Sequence, residues 1–167
     1  MGETSIRHAA ETDLEAVNRL YNHYVVSSPV TFDLSPITPQ ERLAWFRGFA
    51  PKGPHRLLVA YGAESLLGFA HSKQLRPKAA YAPSVETTVY LDPEAIGRGI
   101  GSLLYGKLFE VLREEKLHRA YAGITLPNPA SVALHERLGF RPIGVYDEVG
   151  RKFERWWSVQ WFEKALT

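Results

Sequence analysis

The sequence has no cysteine among its 167 residues. Disulfide bonds, thiolate metal sites and a cysteinyl acyl-enzyme are therefore excluded for this chain. An excess of charge of one sign is also missing, because 20 Lys and Arg stand against 18 Asp and Glu. Nucleic-acid-binding proteins usually carry a stronger basic balance, so we expect no nucleic-acid partner.

Long hydrophobic runs are absent as well. No apolar stretch reaches the roughly 18 residues that a membrane-spanning helix needs. The start of the chain, Met1–Ser5, has no basic region followed by an apolar run, which a secretory signal would show. We therefore expect no membrane partner and a cytoplasmic location. Without repeats or linkers, the length predicts one domain spanning residues 1–167.

Hydrophobic periodicity predicts helices and strands in alternation, which favours an α/β (α+β) class with one central sheet. Two capping boxes, Thr12–Glu15 and Thr38–Glu41, are expected to open the first two helices. The turn Gly62–Ser65 is typical of a hairpin. Strands are predicted at residues 4–9, 56–61, 66–72, 84–91, 118–125, 140–149 and 152–164, and helices at 12–26, 38–49, 99–115 and 128–139.

A glycine-rich loop joins the strand at 84–91 to the next helix. Its alternating glycines, Gly97, Gly99 and Gly101, allow successive backbone N–H groups to converge. The helix start adds partial positive charge, and Arg98 can add a full one. The pattern indicates a phosphate or pyrophosphate site. A tight connection without a ligand is the alternative.

Three other ligand motifs fail at a single position each. Leu108 replaces the Ser or Thr that a P-loop needs for magnesium. Ser102 and Leu104 stand where the dinucleotide pattern requires its last glycine. His135-Glu136 begins a zinc motif, but Gly139 occupies the second ligand position. We expect no metal site.

Together with the glycine loop, several segments resemble the GNAT superfamily of acyl-CoA-dependent N-acetyltransferases. The chain is most similar to its phosphinothricin (methionine sulfoximine or sulfone) acetyltransferase group, and the resemblance runs almost end to end. The matching segments are Tyr21–Tyr24, Val30–Phe32, Ala80–Tyr81, Val85–Tyr90, Gly97–Leu104, Ile124–Ser131, Leu134–Phe140 and Gly150–Phe153.

The resemblance implies the GNAT fold, a twisted, mostly antiparallel mixed sheet of about six or seven strands flanked by about four helices. It also implies acetyl-CoA as cofactor. Asn128 can line the pantetheine arm or merely cap the helix that follows it, and Ile96 replaces the usual Gln or Arg. The implied cofactor residues are Val89, Tyr90 and Leu91 on the strand, Gly97, Arg98, Gly99, Ile100, Gly101 and Ser102 in the loop, and Asn128 and Ser131.

Two residues are implied as catalytic. Glu86 lies in the middle of an apolar strand, and the matching family residue takes a proton from the amine. A solvated strand face or an ion pair is the alternative. His135 replaces the usual tyrosine and can protonate the leaving thiolate or orient the substrate, or serve only as a structural hydrogen-bonding group. A backbone N–H near Tyr90 is expected to stabilise the oxyanion.

The acceptor-side residues implied by the family are Arg76, Lys78 and Tyr81, with Thr31 and Phe32 on another loop. Lys78 replaces an arginine and cannot form a bidentate fork. A solvated loop is the alternative for the two cations. The resemblance therefore implies direct acetyl transfer, in a ternary complex, to the α-amine of a small amino acid or analogue.

Two alternatives stay open: an acetyltransferase for a peptide N-terminus or polyamine, and a non-catalytic CoA-binding sensor. The family is usually dimeric, so we expect a homodimer. The late aromatic residues can form the subunit contact or the core, and Ser158 departs from the aspartate common at its position. These aromatic residues are Phe153, Trp156, Trp157, Trp161 and Phe162.

Overall fold

The computed structural model describes residues 4–63 and 65–167. Two parts of the sequence predictions lie outside the described residues. They are Met1–Glu3, at the start where no signal peptide is expected, and Glu64, in the predicted hairpin turn. The strands are β1 Ser5–His8, β2 Leu57–Tyr61, β3 Leu66–Gln74, β4 Ser84–Leu91, β5 Arg119–Thr125, β6 Arg141–Lys152 and β7 Arg155–Ala165. The helices are α1 Leu14–Ser27, α2 Pro39–Phe46, α3 Ile100–Leu112 and α4 Pro129–Arg137.

One seven-stranded sheet has the order β1-β2-β3-β4-β5-β7-β6. All neighbouring strands are antiparallel except β4 and β5. This parallel pair is registered only from Ser84 opposite Arg119 to Glu86 opposite Tyr121. Beyond Glu86 the two strands diverge, which opens a wedge in the sheet. The predicted α/β class and sheet are confirmed.

Helices cover both faces of this sheet. Because side chains alternate along a strand, Phe69 of β3 packs towards Val17 of α1, whereas Ala70 belongs to the cluster with Leu104 of α3. α4 adds partly buried Leu134 to the α3 side. The wedge between β4 and β5 is thus bounded by helices above and below. In the described part of the chain, no helix is long and apolar enough to cross a membrane.

The two predicted capping boxes have different outcomes. At α2, Glu41 N–H donates to Thr38 Oγ1 at 3.2 Å, and Thr38 N–H donates to Glu41 Oε2 at 2.8 Å, which confirms the box. At α1 the prediction is wrong, because Thr12 lies inside a preceding 3-10 turn and the helix begins at Leu14. The Asp13 side chain instead accepts from the preceding Ala10 N–H at 2.7 Å, and its hydrogen bond from Arg7 lowers its pKa.

The last hairpin turns later than predicted. β6 continues to Lys152, and the turn falls at Phe153 and Glu154, which have φ angles of 52° and 57°. Phe162 is fully buried core, whereas Trp156 is 55% exposed. The late aromatic residues are therefore divided between core and surface. Ser158 Oγ accepts from the Glu148 N–H at 3.0 Å.

Candidate active site

A cleft of about 970 Å³ occupies the wedge between β4 and β5. It extends from the glycine loop to α2 and the loop after α1. Most residues predicted from the sequence to form a site line this one cleft. They are Thr31, Phe32, Glu86, Val89, Tyr90, Leu91, Gly97, Gly99, Ile100, Gly101, Ser102, Asn128, Ser131 and His135.

The glycine loop forms one end of the cleft. Gly97 and Gly99 both have φ near 80°, and a Cβ at either would meet open space. These two glycines therefore allow the backbone to turn and are not required by close packing. Gly101 differs, because a Cβ there would lie 2.9 Å from Leu134 Cδ2, so this glycine allows α3 and α4 to approach closely.

The start of α3 supplies donors to this end of the cleft. The first bond of the helix runs from Leu103 N–H to Gly99 O. The N–H groups of Ile100, Gly101 and Ser102 therefore precede any intrahelical acceptor and suit an anion. The Arg98 N–H donates to Ala95 O, and its exposed side chain is not part of the cleft wall, so its cofactor contact stays a prediction.

The β4 edge forms the middle of the cleft. Beyond Glu86 this edge is not registered with β5, so its peptide groups face the wedge and suit an extended ligand that pairs as a strand. Tyr24 of α1 donates its hydroxyl to Leu91 O at 2.6 Å, which holds the end of β4. Val89, Tyr90 and Leu91 lie where the resemblance implies the pantetheine arm.

Asn128 performs the capping role and lines the cleft as well. Its Oδ1 accepts from the Ser131 N–H at 3.1 Å, which caps α4. Its Nδ2 has no hydrogen-bond partner among residues 4–63 and 65–167 and can serve a ligand. The capping alternative is thus confirmed, and cofactor contact stays a prediction.

His135 is a buried ring with both nitrogens engaged. Its Nδ1 lies 2.8 Å from Ser131 O, and because a carbonyl only accepts, Nδ1 must carry the hydrogen. Its Nε2 then accepts from the Tyr105 hydroxyl at 3.0 Å. Burial lowers the pKa of His135, so the ring is neutral. The structural alternative matches these contacts, and a role in protonating the thiolate stays a prediction.

Tyr105, which the sequence reasoning missed, is fully buried on α3 and also lines the cleft. Burial raises its pKa, so the hydroxyl keeps its proton. Only its position on the apolar face of the predicted helix could have indicated it.

Glu86 lies at the point where β4 and β5 part. The Glu86 side chain is 22% exposed. Its Oε1 lies 3.9 Å from Nζ of Lys73, the residue opposite Glu86 on the neighbouring strand β3. This long, half-exposed pair leaves the carboxylate accessible from the cleft. The ion-pair alternative is thus present in a weak form, and the role of Glu86 in proton transfer stays a prediction.

The loop after α1 is held by distant residues. The buried Lys152 donates to Thr31 O at 2.7 Å, and the Tyr21 hydroxyl bonds both Thr31 and Asp33. A Cβ on Gly150 would lie 2.3 Å from the Phe32 ring. In the sequence, Gly150–Phe153 was only a segment that matches the family. In the structure, Gly150 and Lys152 of this segment contact the loop after α1 and support it.

Arg76, Lys78 and Tyr81 do not reach the cleft. All three are exposed in the connection from β3 to β4, and Arg76 donates only to Leu75 O. The solvated-loop alternative fits this placement, so their substrate role stays a prediction. The cations that do line the cleft are Arg42, Lys73 and Arg137, none of which the sequence reasoning proposed.

The unpaired strand edge, the free donors at the helix start and the carboxylate where the strands part together suit an extended, phosphate-bearing ligand. Residues 17–140 match the acetyltransferase (GNAT) family. The chain belongs to this family.

Named relatives cover nearly the whole chain. It is 56% identical over 166 residues to a phosphinothricin N-acetyltransferase from Streptomyces coelicolor, covering 98% of this chain and 97% of that one. It is 34% identical over 162 residues to an L-methionine sulfoximine/L-methionine sulfone acetyltransferase from Pseudomonas aeruginosa, covering 97% and 94%. A phosphinothricin acetyltransferase from Sinorhizobium meliloti, solved with acetyl-CoA, superposes with a TM-score of 0.92 at 28% identity, covering 97% and 88%.

Proposed function

We propose that this protein transfers the acetyl group of acetyl-CoA to the α-amine of a small amino acid analogue. Phosphinothricin, methionine sulfoximine and methionine sulfone are the acceptors that we infer from the names of the relatives. The observation that carries the proposal is the convergence of Glu86, the β4 edge and the glycine loop in one cleft. The family assignment and the relative solved with acetyl-CoA confirm the predicted cofactor.

The residues present fit this cofactor. The open space above Gly97 and Gly99 leaves room for a pyrophosphate near the N–H groups at the start of α3. The unpaired β4 edge and Asn128 Nδ2 suit an amide-bearing arm. When bound, the cofactor supplies an activated thioester carbonyl.

Glu86 is proposed as the general base. An amine at neutral pH is mostly an ammonium ion, which has no free electron pair to attack a carbonyl. Glu86 accepts the proton through a water. Support comes from its location where the pairing of β4 and β5 ends, in the cleft that Thr31 and the β4 edge also line. A backbone N–H near Tyr90 stabilises the oxyanion.

An assay of acetyl-CoA-dependent thiol release tests the proposal. The panel holds phosphinothricin, methionine sulfoximine, methionine sulfone, plain amino acids, a polyamine and a peptide. Release with the first three acceptors is expected. Release only with the polyamine or peptide would support the alternative acetyltransferase, and CoA binding without any release would support the sensor.

We also propose that residues 1–167 form one domain and that the protein is a homodimer. The cytoplasmic location stays a prediction. Support for the dimer comes from apolar side chains exposed on the last hairpin, where β6 is an edge strand. Analytical ultracentrifugation tests this, and a monomer at micromolar concentration would contradict it. The exposed residues are Ile143, Val145, Tyr146, Val149, Phe153 and Trp156.

A further inference from the structure

One part of the cleft is lined by residues to which the proposed function assigns no role. It extends between α2 and β3, where its walls are Trp45, Phe69, His71 and the ring of Tyr21. We refer to this part, with Arg42, as the inner pocket. Most of its wall residues are aromatic. Arg42 is the buried cation among them.

Arg42 is only 4% exposed, yet it has no ion-pair partner among the described residues. Its Nε donates to Asn18 Oδ1 at 3.0 Å. The guanidinium carbon lies 4.6 Å from the Tyr21 ring centroid and 4.4 Å from that of Trp45. These contacts fix the plane of the group and use one of its five donor hydrogens.

The two terminal nitrogens of Arg42 are left without a hydrogen-bond partner in the part of the chain that the structure describes. Neither nitrogen is among the fully buried polar atoms that lack a partner, so both open to the cleft, where a ligand oxygen can accept from them. Burial lowers the pKa of Arg42 from its high ordinary value, but a guanidinium stays charged at neutral pH.

A second unsatisfied group lies beside Arg42. His71 is fully enclosed by Trp45, Phe49 and Phe69, and its Nδ1 has no partner among the described residues. The inner pocket thus has two neighbouring polar groups without protein partners, both in aromatic surroundings. The guanidinium nitrogens of Arg42 can only donate, so an oxygen acceptor of a ligand would satisfy them.

We infer that Arg42 binds an oxygen group of the acyl acceptor that carries full or partial negative charge. This inference rests on the proposed function and deepens it by naming a residue that determines specificity. Two sources share this chemistry: the α-carboxylate, and the oxidised sulfur or phosphorus at the far end of the side chain. Both present two oxygens, which match the two terminal nitrogens of a guanidinium.

The test compares Arg42→Met and Arg42→Lys with the control Arg47→Met, which removes an exposed cation at the end of the same helix. The acceptors are methionine sulfone, its carboxamide, phosphinothricin and norleucine. Each is measured as a substrate or, where turnover is too slow, as a competitive inhibitor. The KM for acetyl-CoA and the melting temperature are recorded for every variant.

We expect Arg42→Met to lower acceptor kcat/KM about 10- to 100-fold, mainly through KM, with acetyl-CoA KM unchanged. Loss with every compound except the carboxamide identifies the α-carboxylate as the bound group. Loss with every compound except norleucine identifies the side-chain oxygens. Arg42→Lys should restore part of the loss, because it keeps the charge but not the fork.

Equal losses with all four compounds, or a loss confined to kcat, would overturn the inference and leave the proposed function standing. A parent enzyme that acetylates no amino acid acceptor would overturn both. Should Arg42→Met fail to fold, the Arg42 Nε–H resonance of the parent protein gives the answer. It should shift on addition of methionine sulfone in the presence of CoA, and an unmoved resonance at saturating acceptor would refute binding.

Discussion

The two halves of the cleft are built in different ways. The cofactor half consists of the glycine loop, the β4 edge and the start of α4, and its polar groups are largely backbone N–H groups and a helix cap. The acceptor half depends on side chains brought from far along the chain. Lys152 reaches Thr31 across 121 residues, and Arg42 reaches Asn18 across 24. The comparison teaches that local pattern builds one half and tertiary packing the other.

The largest effect is expected where the two halves meet. Glu86→Gln keeps the shape of the side chain but removes its basicity, so kcat should fall about 100- to 10,000-fold. CoA affinity, measured by calorimetry, should stay unchanged because Glu86 is not part of the backbone cradle. The matched control is Lys73→Met, which removes its weak ion-pair partner. Full activity of the Glu86→Gln variant would exclude the proposed base.

The acceptor half can be disturbed alone through Gly150. A Cβ in Gly150→Ala would lie 2.3 Å from Phe32 Cε2 and must displace that ring. Acceptor kcat/KM should fall about 10- to 100-fold while acetyl-CoA KM is unchanged. Gly144→Ala on the same strand meets nothing within 4 Å and is the control. Equal losses for both alanine variants would show that the hairpin does not support the loop.

The buried His71 in the acceptor half predicts a loss of stability in acid. Burial lowers its pKa to about 3, whereas the unfolded chain takes up the proton near the ordinary value of 6.5. Stability is therefore complete above pH 6.5 and is lost as pH falls towards 3, by about 1.4 kcal/mol at pH 5.5. Urea unfolding at pH 7.5 and 5.5 measures this. His71→Phe should reduce the difference, and an unaltered difference would assign it to other groups.

The cofactor half can be disturbed alone through Gly99. This residue has φ +80°, where an L side chain is strained by about 1 kcal/mol. Gly99→Ala should therefore raise acetyl-CoA KM several-fold and leave acceptor KM unchanged. The control Gly106→Ala meets open space within α3 and should stabilise the protein by about 0.5–1 kcal/mol. Steady-state kinetics and thermal unfolding measure both, and a greater effect on acceptor KM would contradict the division.

Sequence reasoning succeeded where signals are local. The box at Thr38, the alternating glycines and the apolar strand around Glu86 all depend on neighbours a few residues away. It failed at Thr12, which lies in a 3-10 turn where Asp13 pairs with Arg7 instead of Thr12 capping a helix. The predicted substrate cations Arg76 and Lys78 lie in an exposed connection, and their role stays a prediction, whereas sequence reasoning did not indicate Arg42, which lines the cleft.

The sequence by itself determined the order of helices and strands, the glycine loop, the carboxylate at Glu86 and the family. These follow from periodicity, glycine freedom and matching motifs, which need no knowledge of distant contacts. Only the tertiary structure decided that His135 is neutral against Tyr105, that Lys152 holds Thr31, and that Arg42 is buried without an ion-pair partner among the described residues. Burial and long-range contacts set the charge and accessibility of a side chain, and no local pattern encodes them.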